Sequence, residues 1–421
     1  MRRPILVSIL LLCGALVLAA CTVVAPVAAP PPATTLSPKP AEEATAPAPP
    51  SGATLAWRTD LGGTINWAPA LLTDAEGNAR LIVASEAGAV AALDPATGEI
   101  LWQFTPPAQL WTDSVAVLGD GVFAASEGAT VSLLDGASGA VRWEKSLQPK
   151  SGDPLPGLEA RSKPILAQGV LYVPTAGVGS RATLINPELP APLVALDFDS
   201  GKEIWRFESA NYILRAPFVE PESGTVFVGG NFLPEEDVDE GGGLHVYALD
   251  RETGQVQWTF ESHDGLIKSL WADPDALAFV AYRDFVVGLD SRSGGEIYRH
   301  NSGNWVQSFT VFPNLPGRTG PALAYGSANA FLNLIDPRTG EFIWRYNVEG
   351  AFNYPMGNAA LDGESVYFIS QRGDLHALDA RTGSLRWTLA TGLESRDGLA
   401  AGGGYLFVGG VDGAVSGFRL E

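Results

Sequence analysis

From residue 54 to the end, the chain alternates short apolar runs with clusters of Gly, Asp, Ser, Thr and Pro. Stretches such as 79–85 and 365–370 are rich in β-branched and aromatic residues. That pattern predicts strands separated by turns, and none of the segments calls for a helix. One unit recurs seven times, at 92–102, 133–143, 195–205, 248–258, 288–298, 334–344 and 377–387. It reads apolar pair, Asp, two residues, Thr or Ser, Gly, then a strand with an aromatic residue four places after the Gly. The aspartates Asp94, Asp135, Asp197, Asp250, Asp290, Asp336 and Asp379 lie 40 to 62 residues apart.

The unit has the chemistry of a hairpin. An Asp carboxylate accepts from backbone N–H groups two or three residues on, and a Gly supplies the positive φ that reverses the chain. The aromatic position holds Trp102, Trp143, Trp205, Trp258, Trp344 and Trp387, with Tyr298 in the fifth copy. A large indole at a fixed place in each hairpin suits a dock between neighbouring sheets. Two further β-rich runs precede each hairpin, which makes four strands per repeat.

The ends of the repeat region fit each other. Residues 54–57 read as a fourth strand without a hairpin partner, and 405–418 as second and third strands without a fourth. Trp57 then completes the last sheet. The expected fold is all-β, an eight-bladed β-propeller of four-stranded antiparallel blades, closed by the N-terminal strand and free of open edges.

The first fifty residues read differently. Arg2 and Arg3 precede a nearly uninterrupted apolar run that ends in Leu18, Ala19, Ala20 and Cys21. This is the layout of a secretory signal, and the residues before Cys21 resemble the bacterial lipobox. The resemblance implies cleavage after residue 20 and lipidation of Cys21. Residues 21–50 hold nine prolines and eight alanines without periodicity, a composition expected to stay extended and disordered. At roughly 3 Å per residue such a spacer reaches about 100 Å. The expected organisation is a signal peptide over 1–20, a lipidated tether over 21–53 and a propeller over 54–421.

The formal charge of −20 excludes nucleic acid and anionic lipid surfaces as electrostatic partners. Both cysteines, Cys13 and Cys21, precede the repeats, so no structural disulfide or paired-cysteine metal site is expected there. The four histidines, His245, His263, His300 and His376, make no zinc pattern, and no metal site is expected. The acidic run 235–240 reads as a solvated loop, because the spaced ligands of a calcium loop are missing.

In a propeller the first strand of each blade lines the central channel. Aligning those strands on Pro69, Pro164 and Pro217 puts Lys163, Arg215, Lys268 and Arg396 at the channel mouth, with Arg161 adjacent. Two readings stay open for these four cations. They form a positive funnel for an anionic ligand or an acidic partner segment, or they pair with Asp113, Asp397 and loop acids as ordinary rim charges. The long loops 148–160, 177–191 and 231–243 are expected on the same face, pointing away from the anchoring membrane.

The repeated Ala-x-Asp-x-x-Thr-Gly-x-x-x-Trp unit resembles the pyrroloquinoline quinone (PQQ)-like β-propeller repeat family, over all of 54–421. Two branches of that family share the fold. The quinoprotein dehydrogenases use longer chains, and their alcohol-oxidising members set a vicinal cysteine pair over the quinone. This sequence has no cysteine after Cys21. The lipobox and length resemble the BamB-like branch, the lipoproteins of outer-membrane β-barrel assembly. The resemblance implies a non-catalytic, monomeric scaffold for envelope or outer-membrane proteins, exported and held to a membrane through its lipid alone, with no cofactor. The alternatives are a PQQ-binding or vestigial quinoprotein and an extracellular sensor or adaptor lipoprotein.

Overall fold

A computed structural model describes residues 52–149, 157–177 and 191–421, apart from 210, 233–242, 264–265, 275, 283–284, 307–308 and 351–352. The expected signal peptide, Cys21 and almost all of the tether lie outside the described residues, as does most of each of the three long loops. The described residues from 52 to 421 belong to one compact unit. All elements assigned among its described residues are strands, arranged in antiparallel sheets.

The strands fall into eight sheets, here I to VIII in chain order. Sheet I takes Ala70–Thr73, Ala79–Ser85, Ala89–Leu93 and Ile100–Phe104 as a meander. Sheets II, III, V, VI and VII repeat that order within 110–146, 165–207, 266–301, 310–347 and 355–390. Sheet VIII combines Leu399–Gly402, Tyr405–Gly409 and Ala414–Leu420 with the N-terminal strand Ala53–Asp60. That strand pairs antiparallel with Ala414–Leu420, from Ala53 opposite Leu420 to Asp60 opposite Ala414.

Sheet IV departs from four strands. Its inner strand is split into Ile213–Leu214 and Phe218–Val219, which pair with opposite ends of Val226–Phe232. Pro217 lies in the break and has no N–H to give the ladder. Two short strands from the preceding repeat, Leu158–Glu159 and Ala176–Gly177, extend the sheet beyond Ile213–Leu214 to seven strands.

The hairpin turns follow the Asp-x-x-Thr-Gly chemistry. In the first, Asp94 Oδ1 accepts from the N–H groups of Ala96 and Thr97, each at 2.8 Å, and from the Thr97 hydroxyl at 3.1 Å. Gly98 has φ 74° and donates its N–H to the Asp94 carbonyl. Just past each of the seven turns the ladder skips a residue, as between Ala92 paired to Trp102 and Leu93 paired to Ile100. Such a bulge increases local twist, which suits sheets that fan around a centre.

Eight apolar clusters lie between successive sheets. One joins Leu72, Ile82 and Val90 of sheet I to Val122, Ala124 and Leu134 of sheet II. Another joins Leu81, Val83 and Ala91 of sheet I to Phe407 and Val415 of sheet VIII. The remaining six link II to III, III to IV, IV to V, V to VI, VI to VII and VII to VIII. Neighbour packing therefore runs through all eight sheets and returns to the first.

Each turn aromatic reaches across one of these seams. Nε1 of Trp57, Trp102, Trp143, Trp205, Trp258 and Trp344 donates to a carbonyl in the next sheet's hairpin turn, at 2.8–3.1 Å. Tyr298 does the same through its hydroxyl, 2.8 Å from the Pro337 carbonyl. The ring also covers the turn glycine: a Cβ on Gly139 would lie 2.7 Å from the Trp102 indole. In sheet VIII the outer pair, Ala53–Asp60 and Ala414–Leu420, comes from segments far apart in sequence and is not joined by such a turn. There Gly52 lies against Trp387, and a Cβ on it would meet Nε1 at 2.3 Å.

Candidate functional site

The inner ends of the sheets converge on a cavity of about 390 Å³. Its wall includes Trp67, Asp113, Lys163, Arg215, Lys268, Phe309, Asn358, Arg396 and Asp397, drawn from the innermost strand of a sheet or the segment adjoining it, with all eight sheets represented. Lys163, Arg215, Lys268 and Arg396, which the sequence places at equivalent positions, are thus brought together, and Arg161 joins them. Gln307 and Ser308, the corresponding pair of sheet VI, lie outside the described residues.

Local breaks in the inner strands present these side chains. In sheets I, III and IV a proline stands at 69, 164 and 217, one or two residues after the cavity-lining Trp67, Lys163 and Arg215. The residue before a proline is held extended, and the proline itself cannot extend the ladder. In sheets II, V and VII the inner strand carries a register shift instead, and the shifted segments hold Asp113, Lys268 and Asn358. Bulges re-aim side chains in this way. Sheets VII and VIII approach so closely beside the cavity that Asn358 bridges Gly398. Gly398 has φ 80°, and a Cβ there would lie 2.4 Å from the Asn358 carbonyl.

The electrostatics of the cavity are lopsided. Five cations, Arg161, Lys163, Arg215, Lys268 and Arg396, share it with two carboxyls, Asp113 and Asp397. Arg161 stacks 4.2 Å above the Trp111 ring, and the Lys163 ammonium lies 5.7 Å from the Trp67 ring centre. Arg396 donates to the Asn66 side-chain oxygen at 3.3 Å. Arg215 Nε is buried with no hydrogen-bond partner among the described residues. Burial lowers the Lys268 pKa, and the neighbouring Arg215 adds to the shift against the pull of Asp397.

Both carboxyls titrate high. Burial pushes Asp113 up to about 6, opposed by Arg161, Arg215 and Lys163. Burial likewise pushes Asp397 up to about 6, opposed by Lys163, by the Ala68 N–H at 3.3 Å and by Lys268. These acids hold their protons in the folded chain at pH values where the unfolded chain has released them. Their contribution is therefore neutral near pH 3, and it becomes unfavourable as pH rises from about 4 through 6. For a shift of about two units the loss is on the order of 3 kcal/mol per group. We expect Asp113→Asn with Asp397→Asn to stabilise the protein against urea at pH 7.5 and to change little at pH 4. An equal effect at both pH values would mean that neither acid titrates in this window.

A second cavity of about 600 Å³ opens from the first and shares Trp67, Asp113, Arg161 and Arg396 with it. It runs past Trp111, Gln109 and Glu86. Trp111 is anchored by its own Nε1–H, which donates to the buried Glu159 carboxylate at 2.8 Å. Glu159 also accepts from the Gly128 N–H at 3.1 Å. Sequence reading names the four cations but leaves out Trp111 as a wall. It weighs Asp113 and Asp397 only as salt-bridge partners. The bulge at Lys268 gives no sequence signal, whereas the prolines at 69, 164 and 217 do.

His376, at the seam of sheets VI and VII, stacks on Phe368 at 4.6 Å, and burial lowers its pKa to about 4. It is a neutral packing group and does not line the cavity. Among the described residues no group of three or more His, Cys, Asp or Glu side chains could hold a metal ion.

Comparison with known proteins agrees with this architecture. BamB of Yersinia pestis is 26% identical over 210 residues, which span 46% of this chain and 50% of that protein. A polyvinylalcohol dehydrogenase of Sphingopyxis is 25% identical over 442 residues, 86% of this chain and 66% of that enzyme. The chain therefore spans about half to two thirds of the length of these relatives. Among solved structures, BamB of Moraxella catarrhalis superposes with a TM-score of 0.57 at 19% identity, over 88% of this chain and 98% of that one. The family model described as outer membrane protein assembly factor BamB matches residues 41–189, 177–304 and 328–421. With its PQQ-like repeats and its sheets docked turn to aromatic, the chain belongs to that family.

Proposed function

We propose that the eight sheets are the blades of a single β-propeller and that the protein is a non-catalytic scaffold of the cell envelope. It binds other envelope proteins and serves outer-membrane protein assembly. It is exported, lipidated at Cys21 and held to the membrane through that lipid, with the Pro/Ala-rich segment as spacer. The observation that carries this reading is the family match over most of 41–421. The cation-lined cavity supplies a site at which a partner can be engaged, because it concentrates positive charge in a chain of net charge −20.

The test is genetic and biochemical. Removing the gene from its native bacterium should lower the level of folded outer-membrane β-barrel proteins. The tagged protein should co-purify with barrel-assembly components as a monomer. Unchanged barrel levels together with no such partners would overturn the assignment.

A second reading is favoured by the extent of the match to the polyvinylalcohol dehydrogenase, which covers 86% of this chain. In that reading the cavity cations hold the carboxylates of PQQ. Thermal-shift titration with PQQ and Ca²⁺ separates the two. A ligand at one hundred times its Kd adds about 2.7 kcal/mol, so a calcium-dependent rise in Tm supports the quinoprotein reading. A flat titration supports the scaffold.

A further inference from the structure

We propose that the central cavity receives the carboxylate side chains of an acidic, extended segment of a partner protein, and that each binding event draws protons onto Asp113 and Asp397. This rests on the scaffold reading and adds to it the chemistry of the partner and a dependence on pH.

Charge and shape carry the proposal. With both carboxyls ionised, five cations against two anions leave the cavity at about +3, and with both protonated at +5. Like charges held this close repel one another, and Arg215 has an unpartnered buried Nε among the described residues. An anion of two or three charges relieves that repulsion. The second cavity then favours a peptide over a compact ion. It continues from the cation cluster along Trp67 and Trp111 to Gln109, giving an extended chain an exit between sheets I and II. The part-exposed Trp67 ring offers apolar surface to residues flanking the acids, while the buried Trp111 holds Arg161 in the wall.

The proton coupling follows from the same geometry. The cations facing Asp113 are Arg161, Arg215 and Lys163, and those facing Asp397 are Lys163 and Lys268. Arg396 lines the same wall, while Glu86 and Glu159 approach from the side of the second cavity. An incoming carboxylate competes for those cations, so the two resident acids lose their compensation and bind protons. Protonated, each can donate a hydrogen bond to the ligand rather than repel it. Proton uptake linked to binding makes affinity rise as pH falls.

The experiment is calorimetric titration of the full chain with a tetraglutamate peptide at pH 7.5 and pH 5.5, and with citrate as a free small polycarboxylate. We expect the peptide to bind at least tenfold more tightly at pH 5.5. At pH 6.5, proton uptake should be visible as a heat that changes with the buffer's ionisation enthalpy. Asp113→Asn and Asp397→Asn should each raise affinity at pH 7.5 and flatten the pH dependence. Lys163→Ala with Arg215→Ala should abolish binding, while a single cooperative thermal transition shows that the fold persists. Should that double variant misfold, Trp67→Ala at the junction of the two cavities should weaken the peptide more than citrate. Equal peptide affinity at both pH values would overturn the coupling while leaving the site. Citrate binding without peptide binding would overturn the peptide assignment. No binding of either probe would remove the cavity from the scaffold reading itself.

Discussion

Deleting residues 52–60 should abolish cooperative folding of the repeat unit. The N-terminal strand contributes more than its own length. It covers the ladder edge of Ala414–Leu420, buries Trp57 against Phe407 of its own sheet, and caps the first hairpin of sheet I through the Trp57 bond to the Pro95 carbonyl. Gly52, just before it, covers Trp387 of sheet VII. Its loss would strip contacts from both seams of sheet VIII and leave a bare edge available for pairing with another chain. The expected result in urea is a broad, non-coincident transition by fluorescence and circular dichroism, with aggregation at micromolar concentration. Retention of one sharp transition would mean that sheets I to VII fold without closure.

The second large effect concerns one seam. Trp102 is 9% exposed, packs with Ile82, Val122 and Leu134, and donates to the Gly136 carbonyl at 3.0 Å. Trp102→Ala should cost about 3–5 kcal/mol, because a buried indole is replaced by a cavity between two sheets that cannot close over it. Trp102→Phe keeps most of the apolar contact and loses the bond, worth about 1 kcal/mol. Urea midpoints for the two variants should therefore be well separated. Similar midpoints would assign the indole's contribution to its N–H rather than to packing. Tyr298 is the natural control, since it fills the same place with a hydroxyl and a smaller ring.

Most of this seam chemistry is legible in the sequence, because it is local and repeated. Asp, Thr and Gly at fixed spacing dictate one turn, and seven copies of it announce the sheets. The pairing of Ala53–Asp60 with the C-terminal strand was also readable, as a fourth strand lacking a hairpin at one end and a missing fourth strand at the other. What could not be read is non-local. The seven-stranded sheet IV arises because Leu158–Glu159 and Ala176–Gly177 leave their own repeat to pair beside Ile213–Leu214. Neither segment is long enough to show periodicity. The cavity divides in the same way. Its cations fall at positions that align with those preceding Pro69, Pro164 and Pro217, so they could be counted. The protonation behaviour of Asp113 and Asp397 depends on how deeply the converging sheets bury them, and spacing along the chain does not encode that depth.

Hydrogen–deuterium exchange on the intact protein tests most directly the proposed propeller and its closure through the pairing of Ala53–Asp60 with Ala414–Leu420. Amides within Ala53–Asp60 should exchange as slowly as those of Ala414–Leu420 and Tyr405–Gly409, and all three strands should open together as one unit. Exchange of Ala53–Asp60 within seconds, while the C-terminal strands stay protected, would contradict closure and leave sheet VIII with an open edge.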